Sequence, residues 1–104
     1  MSDSGLNELR LDARLAELLP LRRTPAGIPV ANCVLVHESK QMEAGLLREA
    51  SVELQAVAIG DLAGLLANAA PGMRVAVTGF LAAKSMRSRA PVLHLNKIEF
   101  LEGN

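Results

Sequence analysis

Aromatic residues are almost absent from this chain, whose 104 residues include Phe80 and Phe100 but no tyrosine and no tryptophan. Cysteine is as scarce: the single Cys33 cannot form an internal disulfide, which is typical of a reducing compartment. No apolar run approaches the roughly 18 residues that a membrane span needs. No apolar secretion segment follows the polar N-terminus. These absences predict a cytoplasmic protein without a membrane segment.

Patterns that carry catalysis or bind cofactors are missing as well. The serines occur in no nucleophile-elbow pattern, and the chain has no glycine-rich phosphate loop. His37 and His94 have no carboxylate or cysteine at a local spacing typical of metal ligands. We therefore expect no enzymatic activity, no cofactor and no metal site.

Charge is balanced overall but unevenly distributed. Eleven basic and eleven acidic residues give a net charge of zero. Residues 62–98 contain no acid, however, and this stretch carries five cations: Arg74, Lys84, Arg87, Arg89 and Lys97. A local basic surface on a neutral protein is therefore possible.

The first half of the chain reads as strands. A length of 104 residues suits one domain, which we place at residues 6–104 after a disordered tail at residues 1–5. Apolar and charged residues alternate from Asn7 to Leu15, which predicts a strand with one buried face. Two prolines and a glycine in residues 24–29 predict a tight turn. The second strand, residues 30–37, follows, with Cys33 on its core face.

The middle of the chain holds the single helical pattern. Residues 39–46 read as a polar loop with Gly45 as its turn residue, and a third strand runs from about residue 47 to residue 59. Asp61 is a suitable N-cap for a helix of about ten residues that ends before Pro71. Its apolar stripe follows helical spacing and consists of Leu62, Leu65, Leu66 and Ala69.

Two more strands complete the pattern. Residues 73–81 form the fourth strand, with Gly79 marking a bend, and residues 92–101 form the fifth. The inward apolar residues of the fifth strand change from odd to even positions, from Leu93 and Leu95 to Ile98 and Phe100. This shift by one residue predicts a β-bulge near Asn96 and Lys97. Five strands with a short helix between the third and fourth predict an all-β OB-fold, a small Greek-key barrel. A ferredoxin-like fold is the rival, but it needs two long helices.

The chain resembles the primosomal replication protein N (PriB) family, which is related to single-stranded DNA-binding proteins. The matching segments keep their order and are residues 20–23 (PLRR), 25–29 (PAGIP), 34–37 (VLVH), 43–45 (EAG), 75–80 (VAVTGF) and 92–94 (VLH). The resemblance implies a homodimeric OB-fold of the replication-restart primosome. It also implies binding of single-stranded DNA and contact with a PriA-type restart helicase and other primosome proteins.

Two departures from the family pattern bear on affinity. Where the family can place aromatic residues that stack on bases, this chain has Leu46 and Ser51, and Glu38 stands where a basic residue is expected. We expect weaker binding than in relatives rich in aromatics, and tighter binding when an aromatic replaces Leu46 or Ser51.

Basic residues near two predicted turns are the candidates for contact with the nucleic-acid backbone. Lys84, Arg87 and Arg89 lie in the connection between the last two strands, a place where OB-folds grip nucleic acids. Arg22 and Arg23 precede the first turn. An ordinary solvated loop is the alternative interpretation of both groups.

Outward-facing apolar residues are the candidates for a dimer interface. Val34, Val36, Val57 and Ile59 lie on the outward parity of the second and third strands, where a partner chain could cover them. Phe80 also faces outward, where it could stack on a base, but a dimer contact is favoured. Two other functions stay open: an adaptor that acts only through protein partners, and an RNA-binding OB module.

Overall fold

The computed structural model describes residues 5–101; apart from Gly5, the tail predicted at residues 1–5 lies outside them, as do residues 102–104 of the predicted domain. The strands are β1 (Leu9–Leu18), β2 (Arg22–Arg23), β3 (Pro29–Glu43), β4 (Leu46–Ile59), β5 (Arg74–Ala83) and β6 (Pro91–Phe100). One helix, α1 (Asp61–Ala67), lies between β4 and β5. Within the described residues, no helix is long and apolar enough to cross a membrane.

The strands close into a barrel in the order β1-β5-β6-β4-β3, and β3 returns to pair with β1. Every pairing is antiparallel except that of β4 with β6. The predicted OB-fold is therefore confirmed, with the two-residue β2 added at the edge of β3. β1 pairs with two strands: residues 9–14 pair with β5, and residues 14–18 pair with β3. The register of the β1–β3 pairing shifts between Leu15 and Glu17.

The barrel interior is filled by the predicted apolar parities. Leu15 on β1, Cys33 on β3 and Val77 on β5 belong to one buried cluster. The bulge predicted in the last strand is confirmed: Thr78 pairs with Lys97 and Gly79 with Leu95, so that Asn96 is the extra residue. Because of this insertion, Ile98 and Phe100 pack against the core again.

The helix is shorter than predicted. Gly60 rather than Asp61 is its N-cap, with φ of 82° and no side-chain cap, because this backbone conformation favours glycine over residues with a Cβ. Asp61 instead lies in the first turn, where the positive end of the helix dipole stabilises its negative charge. α1 buries Ala63 and Leu66, whereas Leu65 is exposed. The predicted stripe is thus wrong at Leu65.

Residues 39–46 are not the polar loop that was predicted. β3 and β4 continue through this region to Glu43 and from Leu46, and they are joined by Ala44 and Gly45 alone. Both turn residues have positive φ, 53° and 80°, as a two-residue hairpin turn of type I′ requires. Gly45 is therefore a turn residue, as predicted, but of a long hairpin. We call residues 38–51 the hairpin arm.

Candidate nucleic-acid interface

The outer faces of β3, β4, β6 and β5 form one continuous surface. The register places Val34 beside Gln55, Gln55 beside Val92, and Val92 beside Ala82. One row further along, the outward residues are Asn32, Val57, His94 and Phe80. Sequence candidates from several strands thus meet on this surface, which we call the outer face.

Lys84 lies at a depression on the outer face. A cavity of about 290 Å3 is lined there by Glu17, Leu19, Asn32, Cys33, Val34, Gln55, Ala56 and Lys84. The Arg22 Nε donates a hydrogen bond to the Oδ1 of Asn32 at 3.4 Å. The structure therefore brings Arg22 and Lys84, which are distant in sequence, to the margins of one depression.

Arg23 does not join them. Arg22 pairs with the outward-facing Val30, and adjacent residues of a strand point to opposite faces. The Arg23 guanidinium instead donates to the carbonyl oxygen of Gly27 at 2.9 Å, within the turn between β2 and β3. Of the two predicted arginines, only Arg22 lies beside the depression.

Residues 84–90, which we call the basic loop, form a closed turn. The Lys84 amide donates to the carbonyl of Ala90 at 2.8 Å, and the Ser85 amide donates to that of Ser88 at 3.0 Å. The Ser88 amide donates in turn to Ser85 Oγ at 3.0 Å. The serines thus hold the turn in one conformation, which presents its side chains with little loss of conformational entropy on binding.

The cations of the basic loop are free to bind a partner. Lys84, Arg87 and Arg89 are exposed, and within residues 5–101 none of them forms an ion pair. Met86 at the tip is 91% exposed. Exposed cations on a preformed turn suit contact with phosphates, which are held through charge and hydrogen bonds.

The hairpin arm projects at the same end of the barrel as the basic loop. β4 and β6 run parallel with Gln55 beside Val92, so the residues preceding each lie toward one end. Three apolar side chains are exposed near the tip of the arm: Met42 at 66%, Leu46 at 72% and Leu47 at 63%. Sequence reasoning missed this arm because neither of its faces is buried, and a buried face is what produces strand periodicity. The available signal was the Ala44–Gly45 turn.

Hydrogen bonds fix the base of the arm to β1. His37 Nδ1 donates to the carbonyl oxygen of Asp12 at 2.6 Å, and its Nε2 lies 2.7 Å from Ser39 Oγ. Gln41 Nε2 donates to the same Ser39 oxygen at 2.9 Å. The Asp12 carbonyl can only accept, so His37 Nδ1 carries a proton. This chain of bonds orients the arm relative to the barrel.

The dimer candidates differ in what they expose. Val57 faces outward as predicted, but it is only 7% exposed because it packs with Val30 and Val92 of the same chain. It is therefore not an exposed surface residue. Val34 and Val36 are half-buried, and Ile59 is 52% exposed. Val34 also lines the depression beside Lys84, so the predicted dimer and nucleic-acid sets overlap there.

Phe80 is engaged with a histidine. The rings of Phe80 and His94 stack with their centroids 5.0 Å apart and their planes 5° from parallel. Phe80 remains 41% exposed.

Within residues 5–101, no group of three histidine, cysteine, aspartate or glutamate residues could hold a metal ion.

Comparison with known proteins matches nearly the whole chain. A family model described as another single-strand binding protein family matches residues 7–97. The replication restart protein PriB of Bordetella pertussis is 42% identical over 99 residues, which cover 95% of this chain and 92% of that protein. PriB of Neisseria meningitidis serogroup B is 40% identical over 100 residues, covering 95% and 99% respectively.

Solved structures agree with these matches. The PriB structure from Ralstonia solanacearum shares 36% identity with a TM-score of 0.87, covering 94% of this chain and 100% of that one. A single-stranded DNA binding protein from Thermus aquaticus has a TM-score of 0.77 at 22% identity, covering 95% of this chain and 52% of that one. The second likeness concerns the fold alone.

Proposed function

This chain belongs to the replication restart protein PriB family, and we propose that it binds single-stranded DNA as an accessory subunit of the replication-restart primosome. The proposal includes a cytoplasmic location and a binding role rather than an enzymatic one. The observation that carries it is the preformed basic loop at the margin of the outer face. Lys84, Arg87 and Arg89 lie there without ion-pair partners in the described residues. Arg22 donates a hydrogen bond to Asn32, which lines the depression together with Lys84.

Binding by these cations is expected to be electrostatic and insensitive to base sequence. If all three cations of the basic loop contact phosphates, the log–log dependence of affinity on salt has a slope of about −2, from roughly −0.7 per phosphate on single strands. The shortage of aromatic residues on the outer face limits the contribution of base stacking.

Fluorescence anisotropy of a labelled oligothymidine across a salt series tests the proposal. Replacing Lys84, Arg87 and Arg89 by alanine should weaken binding and flatten the slope. A matched comparison removes two cations at a time: Arg87→Ala/Arg89→Ala should weaken binding, whereas Arg14→Ala/Arg74→Ala should not. Arg14 and Arg74 are cross-strand neighbours in the β1–β5 ladder, at the end of β5 opposite to the basic loop. A triple variant that binds as tightly as wild type with the same slope would refute the role of the loop.

We also propose that the protein is a homodimer. The support is the half-exposed Ile59 with Val34 and Val36 on the same outward parity, since apolar area covered by a partner is stabilised by the hydrophobic effect. Sedimentation at micromolar concentration should give twice the 11.0 kDa chain mass. Ile59→Lys should shift the species toward monomer, whereas Leu65→Lys on the exposed side of α1 should not.

A role as a protein adaptor within the primosome is the second candidate, and the hairpin arm favours it. Met42, Leu46 and Leu47 form an exposed apolar tip, and the nearby Glu43 and Arg48 neutralise each other in an ion pair of 2.8 Å. An apolar, locally neutral tip suits a protein groove better than a phosphate backbone. We propose a PriA-type helicase as the partner. Serine at all three positions should weaken helicase binding. Leu46→Ser alone, on the face opposite to Ser51, should do so without changing oligothymidine affinity. Oligouridine in parallel tests the RNA alternative.

A further inference from the structure

The stacked pair of Phe80 and His94 is unusual in a chain with two phenylalanines and no other aromatic apart from His37 and His94. The two side chains face each other across the β5–β6 ladder on the outer face. Their planes are 5° from parallel, and Phe80 keeps 41% of its surface exposed. An exposed apolar ring that is held parallel to a second ring can stack on a third planar group.

Cations lie on both sides of the pair along the strands. Toward the start of β5, Thr78 pairs with Arg10 on β1 and with Lys97 on β6, which places both cations in the adjacent outward row. Toward the end of β5, the outward-facing positions after Phe80 are Ala82 and, just beyond the strand, Lys84. At about 3.3 Å per residue, Thr78 lies about 7 Å and Lys84 about 13 Å from Phe80.

Between the rings and the basic loop the outward side chains are apolar. Ala82 pairs with Val92 there, and Val92 is buried. Beyond the row of Arg10 and Lys97, the next outward row carries Asp12 and Glu99 on either side of Ala76. These carboxylates would repel phosphates, so the part of the outer face that favours phosphate binding ends at Arg10 and Lys97.

We propose that Phe80, supported by His94, is a stacking platform for one nucleobase of bound single-stranded DNA. Phosphates on the two sides of that base contact the basic loop and the Arg10–Lys97 row. The inference rests on the proposed DNA binding and names the side chain that holds a base. It assigns Phe80 to DNA rather than to the dimer contact favoured by the sequence, because the cations that flank the rings suit phosphates.

Binding to two oligomers of equal length separates stacking from charge. Phe80→Leu should lower the affinity for oligothymidine about tenfold, within the range that one base–aromatic contact contributes. The same variant should bind an abasic phosphodiester oligomer as wild type does. Phe80→Tyr should retain the affinity for oligothymidine. Equal oligothymidine affinity of wild type and Phe80→Leu would overturn the platform, and so would equal losses on the two oligomers.

A second variant keeps the platform testable if Phe80→Leu fails to fold. Because the chain has no tryptophan, Phe80→Trp introduces a single fluorophore whose emission should be quenched when oligothymidine binds, but not when the abasic oligomer binds. Leu65→Trp on α1 is the control and should show no quenching. An unquenched Phe80→Trp that still binds oligothymidine would overturn the platform, and tighter binding of oligouridine than of oligothymidine would overturn its assignment to DNA.

Failure of the platform and failure of the proposed function give different results. If Arg87→Ala/Arg89→Ala weakens oligothymidine binding while Phe80→Leu does not, DNA binding stands and the platform is overturned. If wild type binds neither oligomer, both are overturned.

Discussion

Gly79 on β5 and His94 on β6 approach so closely that no side chain fits between them. A Cβ on Gly79 would overlap the carbonyl oxygen of His94 and would lie 2.9 Å from its carbonyl carbon. The contact occurs where β6 inserts Asn96 opposite Thr78 and Gly79. The bulge thus brings the backbones together, and the same ladder holds Phe80 against His94.

Gly79→Ala should therefore lower the free energy of unfolding by at least about 2 kcal/mol, because a backbone atom must move to admit the methyl group. Gly64→Ala is the matched control. Gly64 lies in α1 with open space around its Cα, so alanine should stabilise by about 0.5–1 kcal/mol. Chemical denaturation measures both changes, and a neutral Gly79→Ala would contradict the close approach.

Cys33 should make stability decrease at alkaline pH. Burial raises the pKa of its thiol from 9.0 to about 11, since the core disfavours the thiolate. Above pH 9 the unfolded chain releases this proton while the folded chain retains it, so the free energy of unfolding falls as pH rises toward 11. The loss is about 2–3 kcal/mol at most.

Comparison with Cys33→Ala isolates this effect. The stability advantage of wild type over the variant should shrink between pH 8 and pH 11, because the variant lacks the titrating group. A constant difference across this range would show that the thiol is not protected. Native Cys33 should also resist thiol reagents until the protein unfolds.

Ala44 should be a weak point of the hairpin arm. Its φ of 53° is a left-handed conformation that costs an ordinary L-residue about 1–2 kcal/mol and that asparagine tolerates better. Ala44→Asn should slow hydrogen exchange of the arm amides, and the β-branched Ala44→Val should accelerate it. Because the arm packs little against the core, global unfolding should change less than local exchange. Equal exchange in all three proteins would contradict the assigned turn.

Asn7 should stabilise the exposed edge of β5. Its Nδ2 donates to the carbonyl oxygen of Leu81 at 2.8 Å, and its Oδ1 accepts from the Leu81 amide at 2.9 Å. Asn7→Ala should cost about 1–2 kcal/mol, because two hydrogen bonds are lost. The neighbouring Glu8→Ala should change stability by less than about 0.5 kcal/mol. Thermal unfolding of both variants measures the difference, and equal midpoints would contradict it.

An added aromatic should act differently on the two faces of the arm. The sequence suggested that either Leu46 or Ser51 could regain a stacking residue. Ser51 pairs with Glu38 and continues the outer face, whereas Leu46 pairs with Glu43 on the opposite face. Ser51→Trp should therefore tighten oligothymidine binding roughly five- to 150-fold, from about 1–3 kcal/mol per stacked base. Leu46→Trp should leave it nearly unchanged, and the reverse order would place the DNA on the other face.

Periodicity and turn chemistry, read from the sequence alone, determined the barrel. The alternation from Leu9 to Leu15, the core face of Cys33 and the extra residue near Asn96 are all local patterns. Each reflects which side chains are buried, and because successive residues of a strand face opposite sides, burial of one face appears in the sequence as alternation. The order of strands and helix then sufficed to predict the OB-fold.

Tertiary structure decided which distant residues meet. Val57 has outward parity, yet Val30 and Val92 cover it. Arg22 and Arg23 are adjacent in sequence, yet only Arg22 reaches Asn32. The stack of Phe80 on His94 depends on the β5–β6 register after the bulge. Parity tells on which face of a strand a side chain lies, but its neighbours on that face are set by pairing between strands, which barrel closure and register determine.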